Sequence, residues 1–150
     1  MIIRPCTAAD AEAIDALYQE FVNDLRSIGD QTDYRFGAAQ YLTDGFGIDP
    51  MFRGFVADED GALLGYTLFS RTYDGSYERG LYIVDLFVTG RSRRRGIGER
   101  LVEAVRQAAR AEGAVRLSWH VHRLNADAIR FYKRLGATHD PDALMLHLDA

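Results

Sequence analysis

Cysteine is nearly missing from this chain: Cys6 is the only one in 150 residues. A single cysteine closes no disulfide within the chain and builds no cysteine-based zinc site. Its place one residue after Pro5 suits a small buried residue better than a nucleophile. Nothing here requires an oxidising compartment, so a cytoplasmic location is expected. Long apolar runs are missing too. None reaches the ~20 residues that cross a bilayer, and no membrane role is expected. The opening "MIIRPCTAADAEAI" has no charged leader before an apolar stretch, so a signal peptide is not expected. Excess positive charge is also absent. The net charge of −4 argues against general nucleic-acid binding. Repeats, low-complexity segments and long linkers are lacking, and 47% of residues are apolar against 27% charged. Those proportions suit one globular domain over residues 1–150.

What is present is periodicity. "IIRP" reads as a first strand. Thr7 is placed as an N-cap, with Asp10 three residues on. Ile14, Leu17, Tyr18, Phe21, Val22 and Leu25 follow at helical spacing and predict an amphipathic helix over residues 8–27. After the loop "SIGDQTD", a short helix over residues 35–44 ends where "DGFGIDP" cannot continue it. "FRGFVAD" and "ALLGYTLFSRTY", joined by "EDG", read as a hairpin. "LYIVDLFVT" is apolar almost throughout, as suits a strand covered on both faces. Ile97, Leu101, Val105 and Ala108 share a helical stripe that Gly113 is placed to end. "VRLSWHV" is a further strand. Asn125 reads as the N-cap of a helix over residues 126–135 closed by Gly136, and "ALMLHLD" as a last strand. The order β-α-α-β-β-β-α-β-α-β predicts an α/β (α+β) chain, a mixed sheet with helices on its faces.

One feature is out of keeping with an acidic protein. Arg91, Arg93, Arg94 and Arg95 crowd into "RSRRRGIGERL", between an apolar strand and an amphipathic helix. A glycine turn that opens a helix presents free N–H groups and the positive end of the helix dipole. Glycine lets a phosphate approach the backbone, and arginines add charge there. A Walker A loop is excluded by spacing and by the missing lysine. A Rossmann fingerprint is excluded because Leu101 stands where a third glycine would. The short motif alone fits a phosphate site and a solvated basic turn about equally.

Arg93-x-x-Gly96-x-Gly98 in that setting resembles the acetyl-CoA loop of the GNAT N-acetyltransferases. "LNADAIRFYKRLGA", residues 124–137, is similar to a second segment of that family, in the proper order and at the proper distance. "IRPCTAAD", "LTDGFGIDPMF" and "LYIVDLFVTGRSRRRGIG" extend the resemblance to the diamine (spermidine/spermine) acetyltransferase branch over nearly the whole chain. The resemblance implies the GNAT fold: a mixed, mostly antiparallel central sheet, splayed between its fourth and fifth strands and flanked by helices. It also implies acetyl-CoA as co-substrate, no metal, and a homodimer.

Residue roles follow from the same resemblance. The backbone of Leu86, Phe87 and Val88 would pair with the pantetheine arm. Arg93, Arg94, Arg95, Gly96, Ile97 and Gly98 would hold the pyrophosphate. Asn125 would contact the cofactor arm, a role compatible with a plain N-cap. Tyr132 would protonate the leaving thiolate, although it also shares a core stripe with Ile129 and Leu135. A base is needed as well. An aliphatic amine with pKa ~10.4 arrives protonated, and closing a gap of roughly three units is worth about 4 kcal/mol. The branch carries a glutamate where this chain has Val84. Asp85 remains, but strand alternation points it away from Val84 unless a β-bulge re-aims it. His122 and an ordered water chain are the other candidates for the base. Asp24 falls where the family contacts its amine, and Val84 and His122 would border the substrate. Asp74 and Glu78 flank the strand entering the site. Arg123 replaces an acidic residue of the branch, which favours a smaller amine or one carrying its own carboxylate. His120 and His122, two apart, suggest a pocket or surface pair rather than metal ligands, since no third ligand accompanies them.

Together these imply an N-acetyltransferase acting by direct attack of a primary amine: a polyamine, diamine or lysine-like amine. Acetylation of a protein or peptide amine is the alternative within that class. A non-catalytic acyl-CoA-binding module is the alternative outside it. A nucleic-acid binder using the arginines is a weaker reading, because it predicts salt-sensitive affinity indifferent to acetyl-CoA.

Overall fold

A computed structural model describes all of residues 1–150. Its elements are β1 (Ile2–Pro5), α1 (Ala11–Ser27), α2 (Ala38–Phe46), β2 (Arg53–Glu59), β3 (Ala62–Tyr73), β4 (Arg79–Val88), α3 (Ile97–Ala111), β5 (Arg116–Ser118) and α4 (Ala126–Arg134). Five strands pair in sequence order. β1 to β4 are antiparallel neighbours, and β5 runs parallel to β4. This is the mixed, helix-flanked sheet that the sequence implies.

The first helix is set by its entry. A short 3-10 turn, Ala8–Asp10, precedes α1. The Asp10 carboxylate accepts hydrogen bonds from the Thr7 N–H (2.7 Å) and hydroxyl (3.0 Å). The Arg4 guanidinium grips the same carboxylate with two bonds and reaches Asp58 with a third. β1, β2 and the helix entry are thereby tied together. α1 lays Ile14, Leu17 and Tyr18 on Val56, Tyr66, Leu68 and Phe87, with Tyr41 of α2 closing that layer. Cys6 packs at its edge, and burial pushes its thiol up to about 12, which makes it a packing residue. On the other sheet face, Val105 and Ala109 of α3 meet Phe69, Leu81 and Ile83, and Ile97 and Leu101 meet Ala57 and Leu64.

Two irregularities shape the functional edge. First, β4 pairs with β5 only from Gly80 to Tyr82, opposite Arg116 to Ser118. Beyond that the strands part, so no β5 residue pairs with Val84–Val88. Second, the β3–β4 register jumps: Leu68 faces Asp85, while Phe69 faces Ile83. Val84 is the extra residue of a β-bulge.

The structure corrects two strand expectations. "VRLSWHV" forms a strand only over Arg116–Ser118, so His120 and His122 lie beyond it and strand alternation does not relate them. "ALMLHLD" forms no strand; Leu144, Met145, Leu146 and Leu148 stay exposed. Alternating apolarity does not hold a strand without a ladder partner, and a three-residue β5 offers a very short edge.

Candidate active site

The arginine-glycine loop carries β4 into α3. Gly96, with φ of +72°, and Arg94, with φ of +63°, both take the left-handed conformation. No side chain caps α3, so the N–H groups of its first turn are available to an anion. A Cβ on Gly96 would meet nothing within 4 Å, so this approach is open. Gly98 serves a different need: a Cβ there would stand 3.2 Å from the Phe131 ring, and its absence lets α4 close on α3.

The four arginines divide into two pairs. Arg93 pairs with Asp24 of α1, donates to the Val88 carbonyl at 3.2 Å, and lies over the Phe87 ring. Arg95 pairs with Glu59 at 2.6 Å. Arg91 and Arg94 form no ion pair. Two arginines thus brace the loop and two stay available. Exposed pairs of this kind are worth no more than about 1 kcal/mol, so a phosphate can compete for the braced arginines too. Asp24, expected near the amine, is the residue that pairs with Arg93 of this loop.

Across the sheet, Asp85 borders a cavity of about 310 Å³ lined by Tyr18, Tyr34, Phe36, Asp44, Phe52, Leu68 and Val84. The bulge explains why Val84 and Asp85 share it: the extra residue breaks alternation and turns Asp85 to the α1 side. The Tyr66 hydroxyl donates to Asp85 Oδ2 at 3.3 Å, and the Thr67 hydroxyl to its carbonyl at 2.9 Å. Burial pushes the Asp85 carboxyl up to about 7, against a smaller opposing pull from Tyr66. Tyr18, Tyr34, Tyr66, Tyr82 and Tyr132 have raised phenol pKa values, chiefly through burial, and each also feels the Asp85 charge. Asp85 is therefore the electrostatic centre of a tyrosine-rich site.

α4 closes the far side. Asn125 caps it, its side-chain oxygen accepting from the Ala128 N–H at 3.1 Å. Tyr132 packs on Trp119 with ring centroids 4.7 Å apart, and burial lifts its phenol to about 12. It therefore stays protonated at neutral pH, as a donor must.

The other candidates are placed as follows. Phe87 is buried under α1, while Leu86 and Val88 pack on the α3 side, so these three have only backbone to offer. His122 Nδ1 accepts from the Leu124 N–H at 3.1 Å. His120 Nδ1 is 2.5 Å from the Tyr82 hydroxyl. Asp74 and Glu78 pair with Arg116 on the surface, and Arg123 is exposed. No three metal-ligating side chains converge. Sequence reading missed Asp44 and the aromatic wall of Tyr34, Phe36 and Phe52. The aromatics lie in loops, which carry no period, and Asp44 lies in α2 with nothing in its spacing to mark it.

The sheet thus parts between β4 and β5, the arginine-glycine loop stands at the end of β4, and the half-buried Asp85 carboxyl lies on the strand that leads to it. Residues 14–137 match the Acetyltransferase (GNAT) family, and the chain belongs to it. It is 27% identical over 145 residues to the thialysine N-epsilon-acetyltransferase of Sus scrofa, covering 91% of this chain and 84% of that one. It is 36% identical over 92 residues to L-ornithine N5-acetyltransferase NATA1 of Arabidopsis thaliana, a match spanning 59% of this chain and 40% of that enzyme. Among solved structures, a mutant of the BH1408 protein of Bacillus halodurans superposes with TM-score 0.82 at 23% identity over 99% of both chains. The ribosomal-protein-alanine N-acetyltransferase of Brucella melitensis biovar Abortus 2308 does so with TM-score 0.75 at 18% identity over 98% of both. These two establish the fold alone. The chain is thus an N-acetyltransferase of the GNAT class, similar to enzymes named for small amines.

Proposed function

We propose that this chain, a single domain, moves an acetyl group from acetyl-CoA to a primary amine of a small molecule. The acceptor is of the polyamine, diamine or lysine-like class. The observation that carries this reading is the place of Asp85, a carboxyl in an aromatic-lined cavity on the strand that leads to the arginine-glycine loop, where burial pushes it up to about 7. The names of two relatives, for L-ornithine and thialysine, support an amine borne on an amino acid. Val84 and Arg123, where the diamine branch has acidic residues, favour such an acceptor over a long polycation.

Acetyl-CoA, when bound, supplies the thioester whose acetyl group is transferred. The uncapped start of α3 and its open Gly96 fit a pyrophosphate. There Arg93, Arg94, Arg95, Gly96, Ile97 and Gly98 hold it. The backbone of Leu86, Phe87 and Val88 lines the cofactor arm, with Asn125 opposite. Val84 and His122 border the amine. Asp85 takes the ammonium proton, freeing the nitrogen lone pair for attack. The Leu86 backbone polarises the carbonyl. The C–S bond breaks with its electron pair on sulfur, Tyr132 gives its phenol proton to that sulfur, and the second proton shed by the acylated nitrogen restores the phenol. Every role is filled by a protein group. The reading includes a cytoplasmic homodimer.

The test is thiol release from acetyl-CoA across ornithine, lysine analogues, short diamines, spermidine, amino sugars and short peptides. Turnover with the amino-acid amines supports the reading. Retention of coenzyme A with no thiol release from any acceptor identifies a binding module instead. Tyr132→Phe is expected to lower kcat about 10²-fold with acetyl-CoA affinity nearly unchanged. Lost affinity would recast Tyr132 as a binding residue.

A further inference from the structure

Asp85 is half-buried on the wall of the proposed acceptor cavity, and while an amine fills that cavity a proton it accepts needs another way to water. Val84, where the branch has its glutamate, offers no ionisable group for that. The bulge brings a different one into line. Within β4, residues i and i+2 ordinarily share a face about 7 Å apart. With Val84 inserted, the same-face neighbour of Asp85 toward the strand start becomes Tyr82. The Tyr82 hydroxyl meets His120 Nδ1 at 2.5 Å, with ring centroids 5.5 Å apart. Tyr82 is half-buried and His120 is exposed, so the pair runs from the interior to solvent. The register partners of Tyr82 are Ser70 on β3 and Ser118 on β5, both small. Trp119, next to His120, packs at a tilt on Tyr132, which places the segment carrying this pair against the proposed acid. The other titratable groups facing Asp85 are Tyr66 from β3, Tyr18 from α1, Tyr34 and Tyr132, with Asp44 of α2 on the same cavity.

We infer that the Tyr82–His120 pair is the outlet that conducts the acceptor's proton from Asp85 to solvent, an inference that rests on the acetyltransferase reading above. The ammonium N–H bond breaks, its electron pair stays on nitrogen, and the proton passes to the Asp85 carboxylate. Asp85 releases it across one bridging water to the Tyr82 oxygen. The phenol's own proton moves to His120 Nδ1, and the imidazolium so formed gives its Nε2 proton to bulk water. Tyr82 regains a phenol proton from Asp85, and His120, left as the Nδ1–H tautomer, returns to the Nε2–H form by proton exchange with solvent before the next turnover. Both are positioning and relay groups that need not touch the amine.

The experiment compares wild type, Tyr82→Phe, His120→Gln and His120→Ala. It follows thiol release with the best amino-acid amine from pH 6 to 10, with acetyl-CoA affinity measured in parallel. At pH 7 each variant is expected to lose roughly 10- to 100-fold in kcat at unchanged acetyl-CoA affinity. The deficit should shrink toward pH 10, where the amine arrives neutral, and free imidazole should restore His120→Ala. Wild-type rates at pH 7 in the variants, or one deficit constant across all pH, would overturn the relay while leaving the acetyltransferase reading standing. A wild type that releases no thiol with any amine overturns both.

Discussion

Asp85 shows how one side chain ties folding to chemistry. Its carboxyl titrates at about 7, against an ordinary value of 3.8, because burial disfavours its charge. The folded state therefore favours the protonated acid. That contribution is full below pH 3.8 and is lost as pH rises through about 7. Asp85→Asn removes the penalty. Urea unfolding should find the variant more stable than wild type at pH 8, by at most about 4 kcal/mol, and equal to it below pH 4. Acetylation at pH 7 should fall in the same protein. Equal stability at pH 8 would mean that Asp85 is well solvated. In the sequence this residue was legible only as an acid of uncertain aim. Alternation turned it away from Val84, and what re-aims it is a register jump between two strands. A pairing defect leaves no mark on one strand's own composition.

At the scale of elements, the β4–α3 junction is the best-read part of the chain. Its chemistry is local: glycine conformation, an uncapped helix start and arginines lie within eight residues, so spacing alone exposes them. Gly96→Glu should raise the acetyl-CoA Kd at least 10-fold, because bulk and negative charge would stand at the anion position. Isothermal titration of the folded variant checks this, and an unchanged Kd would remove the phosphate assignment. The bracing by Asp24 and Glu59 was not legible. Those carboxylates lie 69 and 36 residues from their arginines, and no period connects them.

Across the whole molecule, apolar periodicity located nearly every helix and strand, because each buries a face against the sheet. It failed at the ends of the sheet. "VRLSWHV" and "ALMLHLD" carry strand composition, but a strand also needs a partner edge, and that is a property of the assembled fold. The cores on the two faces should dominate stability. Leu101→Ala, with no exposed surface at that position, should cost about 2–5 kcal/mol by denaturant unfolding. A loss below 1 kcal/mol would mean that α3 repacks freely. The bulge at Val84 has a consequence at this same scale. A residue opposite no partner carries no ladder constraint, and this one also stands on the wall of the cavity that Asp85 borders. Evolution, or a protein engineer, can exchange it without disturbing the strands around it. On the proposed reading, the fold leaves a free variable on the wall that meets the acceptor, a position through which related chains could diverge in substrate while keeping one architecture.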